Sequence, residues 1–258
     1  MKKFQSLDIR FKNSRGLLLA ARLEIPSEPV CFAIFSPCFT CTKETLATYR
    51  ISQLLAKKNI AVLRIDFTGL GESEGDFADS NFSTQVDDIV CAYRFLSEHY
   101  QGASVLIGHS MGGTASFAAA CEHANELQTV KAVISIASPS APVHVTHHFG
   151  EALERIKAGE PGEFQVAGKP YSVTPQFLTH LETHGLPESL NTLNKASLIF
   201  HAEGDALVDI KQAYQLFESL PQPKSFVSLD TADHVLSNRK DNEYVASVIS
   251  SWLQRYII

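Results

Sequence analysis

The sequence lacks the signs of a membrane or exported protein. None of its apolar runs reaches the roughly 20 residues needed to cross a bilayer. Its start, Met-Lys-Lys-Phe-Gln-Ser-Leu, has no apolar segment after the lysines, so we expect no signal peptide and no membrane span. An excess of basic residues is also missing, since the formal net charge is −6. Nucleic-acid-binding proteins usually carry a basic patch, and we therefore expect no nucleic-acid partner.

Cysteine is scarce, and its copies are an odd number in the first half of the chain: Cys31, Cys38, Cys41, Cys91 and Cys121. Disulfide-stabilised proteins are typically short, secreted and built on an even number of cysteines. We therefore expect no disulfide framework, and a reducing cytoplasm as the location.

What the chain contains is an alternation of apolar runs and helical patterns over 258 residues, 45% of which are hydrophobic. Nearly continuous apolar runs are typical of strands covered on both faces, and helical spacing indicates helices between them. After an opening hairpin at 4–25, strands are expected near residues 30–36, 60–66, 103–107, 130–137, 196–201 and 224–229. The alternation predicts an α/β fold with a mostly parallel, doubly wound sheet.

This alternation is interrupted at residues 138–190, which are rich in proline, glycine and histidine and contain no strong core strand. A helix at Gly150–Lys157 and a short hairpin at Phe164–Val173 are expected there. We therefore expect residues 1–137 and 191–258 to form the core, with 138–190 inserted as a lid.

A candidate nucleophile follows the apolar run that ends at Ile107. The turn Gly108-His-Ser-Met-Gly112 lies between this run and a helix of small residues, which is the arrangement of a nucleophile elbow. Glycines suit such a turn because strand and helix approach each other closely. The motif alone also fits an ordinary glycine turn, but its position predicts Ser110 as the nucleophile.

A serine hydroxyl needs a base and an orienting acid, and in this kind of sheet the order along the chain is serine, acid, histidine. His234 follows the last expected strand, and Asp205 follows the strand before it. Each is an ordinary loop residue when taken singly, and Asp209 is an alternative acid, although we favour it as a helix N-cap. Jointly the positions predict a triad of Ser110, Asp205 and His234.

An oxyanion hole requires two backbone N–H donors. Met111 supplies the first, since it follows the nucleophile at a helix N-terminus. Phe39 is the favoured second donor and Cys38 the alternative, because Pro37 has no N–H. Residues flanking these motifs are candidates for the substrate pocket: Cys38, His109, His144 and Val208.

Metal and cofactor sites are weighed against simpler interpretations. His144, His147 and His148 have the spacing of ligands on one helix face, but no carboxylate or cysteine at matching spacing accompanies them, and polar lid or cleft residues are favoured. The glycine-rich segment 66–72 lacks the Lys-Ser/Thr ending of a phosphate-binding loop. Cys38-x-x-Cys41 is typical of a redox pair, although packing of a tight loop is favoured. We expect no metal and no cofactor.

The motifs Gly108-His-Ser-Met-Gly-Gly113, Asp66-Phe-Thr-Gly-Leu-Gly-Glu-Ser73, Gly204-Asp205 with Val208, and Asp233-His234 resemble those of α/β hydrolases of the serine-esterase, lipase and serine-aminopeptidase type. Cys38-Phe-Thr-Cys-Thr-Lys43, Glu74-Gly-Asp-Phe77 and Lys224–Asp230 are similar to the bacterial hydrolase domain often fused to an OsmC-like domain. That fusion partner is not found in this sequence, and Pro37 replaces a histidine that usually helps to hold the loop. The resemblance implies an α/β-hydrolase fold and a serine hydrolase.

The expected function is hydrolysis of a small-molecule carboxylic ester, with a thioester or small amide as alternatives. A non-catalytic binding protein with the same fold is a second class, and C–C bond hydrolysis or perhydrolysis uses the same triad. The presence of all three triad residues favours an enzyme.

Overall fold

The computed structural model describes residues 4–184 and 186–257. Within these residues the strands, in chain order, are β1 (Phe4–Lys12), β2 (Leu18–Pro26), β3 (Cys31–Ser36), β4 (Ile60–Ile65), β5 (Val105–His109), β6 (Ala132–Ile136), β7 (Gly162–Val166), β8 (Lys169–Val173), β9 (Ala196–His201) and β10 (Lys224–Ser228). Eight of them form one sheet in the order β1-β2-β4-β3-β5-β6-β9-β10. Strand β2 is antiparallel to both neighbours, and the remaining pairs are parallel. The predicted mostly parallel sheet and opening hairpin are confirmed.

The helices of the described residues are α1 (Leu46–Ala56), α2 (Phe82–His99), α3 (Met111–Glu122), α4 (Ala152–Lys157), α5 (Pro175–Thr183), α6 (Leu186–Ser189), α7 (Ile210–Ser219) and α8 (Arg239–Tyr256). Short 3-10 helices lie at Phe77–Asp79, Pro142–Phe149 and Leu190–Thr192. No helix in this described part of the chain is long and apolar enough to cross a membrane.

Successive side chains of a strand point to opposite faces of the sheet, and helices cover both faces. In β3, Phe32 and Ile34 join one hydrophobic core with α2, α3 and α7, whereas Ala33 and Phe35 join the other with α1 and α8. Burial on both faces explains why these strands are nearly continuous apolar runs in the sequence.

The segment between β6 and β9 contains the predicted short hairpin, β7–β8, which is confirmed. Its side chains are continuous with the core that covers α2 and α3, through Phe149, Phe164 and Phe177. Phe39, in the loop after β3, packs against all three, with ring centroids 6.0–6.4 Å apart. The segment therefore packs directly on the loop that is expected to form half of the oxyanion hole.

Candidate active site

Ser110 lies at the apex of the turn between β5 and α3, with φ of 52° and ψ of −126°. A positive φ is costly for a serine, so the surrounding structure must hold it. Its N–H donates to the carbonyl of Ile136 over 2.8 Å, and a Cβ on Gly112 would overlap the carbonyls of Ser36 and Pro37. The glycine therefore lets the start of α3 lie against the end of β3.

The structure brings Ser110, His234 and Asp205 together from the ends of three different strands. The hydroxyl of Ser110 is 3.1 Å from Nε2 of His234, and Nδ1 of the same imidazole is 2.8 Å from the carboxylate of Asp205. A carboxylate accepts a hydrogen bond, so Nδ1 carries the proton and Nε2 is free to accept the serine proton. This is the geometry of a general base held by an acid.

Asp205 is fixed from both sides. Its second oxygen accepts the N–H groups of Leu207, at 2.9 Å, and Val208, at 3.0 Å. Burial raises the pKa of this carboxyl, but the hydrogen bonds from His234 and from the two backbone groups outweigh it, and the pKa lies below its usual value. Asp209, the alternative acid, accepts the N–H of Lys211 over 2.8 Å and caps α7.

Two buried histidines hold the loops of the triad. Nε2 of His109 is 2.7 Å from the backbone carbonyl of His234, and Nε2 of His201 is 2.8 Å from the carbonyl of Val208. Burial lowers the pKa of His109 to about 4, so this imidazole is neutral and donates from Nε2. The structure thus places His109 behind the triad, and not in the pocket where the sequence suggested it.

The loop after β3, residues 37–42, faces Ser110 and carries the expected oxyanion donor Phe39. The Phe39 ring is buried, and the carbonyl of Thr40 accepts the hydroxyl of Tyr171 over 3.2 Å. Met111 begins α3 directly after Ser110. The two expected donors, Phe39 and Met111, therefore belong to segments that meet beside Ser110.

Cys38 and Cys41 form a disulfide in this loop, with their Cα atoms 5.0 Å apart. The sequence favoured loop packing for this pair and predicted no disulfide framework, so this bond was not predicted, while Cys31, Cys91 and Cys121 are free. The cysteine count addressed a scaffold of several bridges, whereas this bridge spans one tight turn in which Cys41 N–H donates to the carbonyl of Cys38 over 3.0 Å. A local turn brings two Cβ atoms within bonding reach whatever the total count is.

The same loop continues into a buried ion pair that the sequence reasoning missed. The carboxylate of Asp66 accepts both the Nζ, at 2.7 Å, and the backbone N–H, at 2.6 Å, of Lys43, and also the N–H of Glu72 at 3.0 Å. Burial lowers the pKa of Lys43, but hydrogen bonds to Asp66 and Glu72 raise it above its ordinary value. The available signal was that Lys43 and Asp66 both belong to the motifs quoted above.

Replacing Asp66 with asparagine should lower the free energy of unfolding by about 3–5 kcal/mol, because the ammonium of Lys43 would remain buried without its full counter-charge. The Lys43 and Asp66 side chains are only 3% and 0% exposed. Denaturant unfolding measures this change. Glu72→Gln is the matched control: Glu72 contacts the same ammonium but is 62% exposed, so the change should be much smaller. Equal losses in both variants would contradict this assignment.

A cleft of about 490 Å³ opens beside Ser110 and His234. The loop after β3 and the β7–β8 hairpin form its walls, and Leu207 and Val235 also line it. Of the predicted pocket residues, Cys38 lines this cleft. His144 instead lies with Nε2 3.0 Å from the carbonyl of Leu207, and the Val208 side chain is buried.

His148 lines the cleft. The sequence offered it as a metal ligand but favoured it as a polar lid or cleft residue. Its ring stacks on Phe39 with centroids 5.8 Å apart. Burial and the neighbouring His147 lower its pKa to about 4, so it presents a neutral imidazole to a bound molecule. In the described ranges, no three histidine, cysteine or carboxylate side chains converge as metal ligands would.

Comparisons with known proteins identify the family and the fold. A family profile described as serine aminopeptidase, S33, matches residues 43–180. The esterase domain of a Rhodothermus marinus protein is 40% identical, with 98% of this chain and 100% of that chain covered and a TM-score of 0.80.

Two curated relatives are more distant. The mitochondrial palmitoyl-protein thioesterase ABHD10 of Mus musculus is 23% identical in an alignment of 233 residues that covers 86% of this chain and 75% of the relative. Monoglyceride lipase of Rattus norvegicus is 26% identical in an alignment of 236 residues that covers 80% of this chain and 77% of the relative. Both relatives are named for the hydrolysis of acyl compounds.

Proposed function

The chain belongs to the S33 serine aminopeptidase family of α/β hydrolases, and from this premise we propose that it hydrolyses small carboxylic esters through an acyl-enzyme on Ser110. The observation that carries the proposal is the pair of hydrogen bonds from Ser110 to His234 and from His234 to Asp205. A protein that only binds a ligand has no need for a nucleophile, a base and an acid joined by hydrogen bonds in this order. Full retention of the triad therefore favours catalysis over binding alone.

In the proposed reaction, Oγ of Ser110 attacks the acyl carbon while Nε2 of His234 accepts the hydroxyl proton. Asp205 keeps the imidazole in the tautomer that accepts this proton and stabilises the imidazolium that forms. The N–H groups of Met111 and Phe39 stabilise the oxyanion. His234 then protonates the leaving alcohol, and water activated by the same imidazole hydrolyses the acyl-enzyme. The proposal involves no metal or cofactor.

We assign residues 138–190 the role of a lid. This segment supplies the cleft wall that contains His148 and Tyr171, and its phenylalanines anchor it on Phe39. The apolar part of the cleft suits a short acyl or aromatic group. The cytoplasm remains our prediction for the location.

An ester panel of graded acyl length tests this proposal. We expect kcat/KM to be highest for short-chain aryl esters and to fall once the acyl chain exceeds what a cleft of about 490 Å³ holds. A fluorophosphonate probe should label Ser110, because Oγ of an activated serine attacks the phosphorus of the probe and displaces fluoride, which leaves a stable P–O bond to the serine. A folded protein that turns over no ester and takes no label would support the non-catalytic binding alternative.

A further inference from the structure

The Cys38–Cys41 disulfide lies in the cleft, beside the nucleophile. Both cysteines line the same cavity as Ser110 and His234. Cys38 is only 6% exposed, whereas Cys41 is partly exposed. Cys41 is therefore the more accessible residue of the pair.

The disulfide closes a ring that contains Phe39, whose N–H is the proposed second oxyanion donor. Thr40 in the same ring has φ of 60°, an unfavourable conformation for a β-branched residue. Such a residue persists only where its surroundings hold it. The cross-link is one such restraint, and its loss would let the backbone at Phe39 and Thr40 relax.

Other contacts would still hold part of the loop after the cross-link is cut. The Phe39 ring remains packed among its aromatic neighbours, and Tyr171 still donates to the carbonyl of Thr40. The expected effect is therefore a displaced oxyanion donor in a folded protein, and not an unfolded loop.

The three free cysteines are poor competitors for thiol chemistry. Burial raises the pKa of Cys31 to about 12, and it raises those of Cys91 and Cys121 to about 11. Few of these thiols are ionised near neutral pH, and the thiolate is the reactive form. Among the described cysteines, Cys38 and Cys41 are the two that line the cleft.

We propose that the Cys38–Cys41 disulfide is a thiol-exchange site that takes a small dithiol in the cleft, and that its reduction lowers turnover at Ser110. The effect on turnover rests on the proposed ester hydrolysis, whereas the exchange itself does not. A small reductant fits because the sulfurs lie inside a cleft walled by the β7–β8 hairpin.

The exchange proceeds in two displacements. A thiolate of the dithiol attacks Sγ of Cys41, and Sγ of Cys38 leaves with the bonding electron pair and takes up a proton. The second thiolate of the reductant then attacks the reductant's first sulfur, which is bonded to Sγ of Cys41 in the mixed disulfide. Sγ of Cys41 leaves with the bonding electron pair and takes up a proton. Two electrons and two protons pass to the protein, and the reductant leaves as a cyclic disulfide.

The test compares the oxidised full-length chain with the same chain after incubation with dithiothreitol. Alkylation and mass spectrometry should show two newly modified residues, Cys38 and Cys41. We expect kcat to fall about tenfold at nearly constant KM, less than the 10²–10³ that loss of an oxyanion donor costs. Hydrogen exchange at residues 37–43 should become faster, and reoxidation should restore both readouts.

The double variant Cys38→Ser/Cys41→Ser should match the reduced enzyme and show no response to dithiothreitol. Cys121→Ser keeps the disulfide and should respond like the unmodified chain. Absence of new alkylation, or full reduction with unchanged kcat, would overturn the proposal. If the oxidised protein hydrolyses no ester, the proposed function fails, while alkylation and hydrogen exchange still decide whether the site exists.

Discussion

Replacement of Ser110 by alanine is expected to lower kcat by about 10⁶-fold, as happens when a triad loses its nucleophile. No acyl-enzyme forms without the hydroxyl, and His234 loses the proton that it accepts at 3.1 Å. KM should change little, because the cleft walls remain in place. Initial rates on a short-chain aryl ester measure the loss, and the pre-steady-state burst of product should disappear with it.

Ser116→Ala is the matched control for this variant. Ser116 lies in α3, close to the nucleophile along the chain, and its hydroxyl donates to the carbonyl of Gly112 over 2.8 Å. It is buried and takes no part in the triad. The kcat of the Ser116→Ala variant should stay close to that of the unmodified chain. If Ser110→Ala kept full turnover, another residue would have to be the nucleophile.

The second large effect is expected for Asp205→Asn, which should lower kcat by about 10⁴-fold. Asparagine has the same shape, and its oxygen would still accept the N–H groups of Leu207 and Val208. Its amide, however, would donate to Nδ1 of His234 and so place the proton on Nε2, opposite the Ser110 hydroxyl. The imidazole would then be in the wrong tautomer to accept the serine proton. Fluorophosphonate labelling should slow together with turnover.

Asp209→Asn separates the two aspartates that the sequence left open. Asp209 caps α7 through an oxygen acceptor, and asparagine is as good an N-cap as aspartate. Turnover of this variant should therefore be close to that of the unmodified chain. A larger loss of turnover in Asp209→Asn than in Asp205→Asn would show that Asp209, and not Asp205, is the acid of the triad.

The parts that sequence reasoning reached are those governed by local rules. Apolar runs locate β3 and β5, because a strand that is buried on both faces is apolar at almost every position. The helix pattern of small residues locates α3. The triad residues were placed together since the carboxyl ends of parallel strands meet at one edge of a sheet. Asp205 and His234 each follow such a strand, and chain order supplied their roles.

The parts that it missed depend on pairing between distant residues. Asp66 and Lys43 lie on different loops and form an ion pair. The residues next to each of them in the sequence do not indicate which residue it pairs with. For the predicted pocket residue Val208, a difference of one position made the prediction fail: Leu207 lines the cleft, whereas the Val208 side chain is buried in the core. Loop backbone conformation sets that difference, and periodicity carries no information about it.

The hydrogen bond from His109 to the main chain of His234 joins the residue before the nucleophile to the base itself. This buried hydrogen bond helps to hold His234 beside Ser110 from within the protein interior, in addition to the contacts of the loop after β10 itself. Within that loop Leu229 and Ala232 are buried and Asp233 accepts hydrogen bonds from Ser237, so the exposed positions Asp230 and Thr231 are the ones at which substitution should be tolerated. Mutant libraries that spare His109 should retain more active members than libraries that randomise it, because a preorganised site tolerates change beyond its supports.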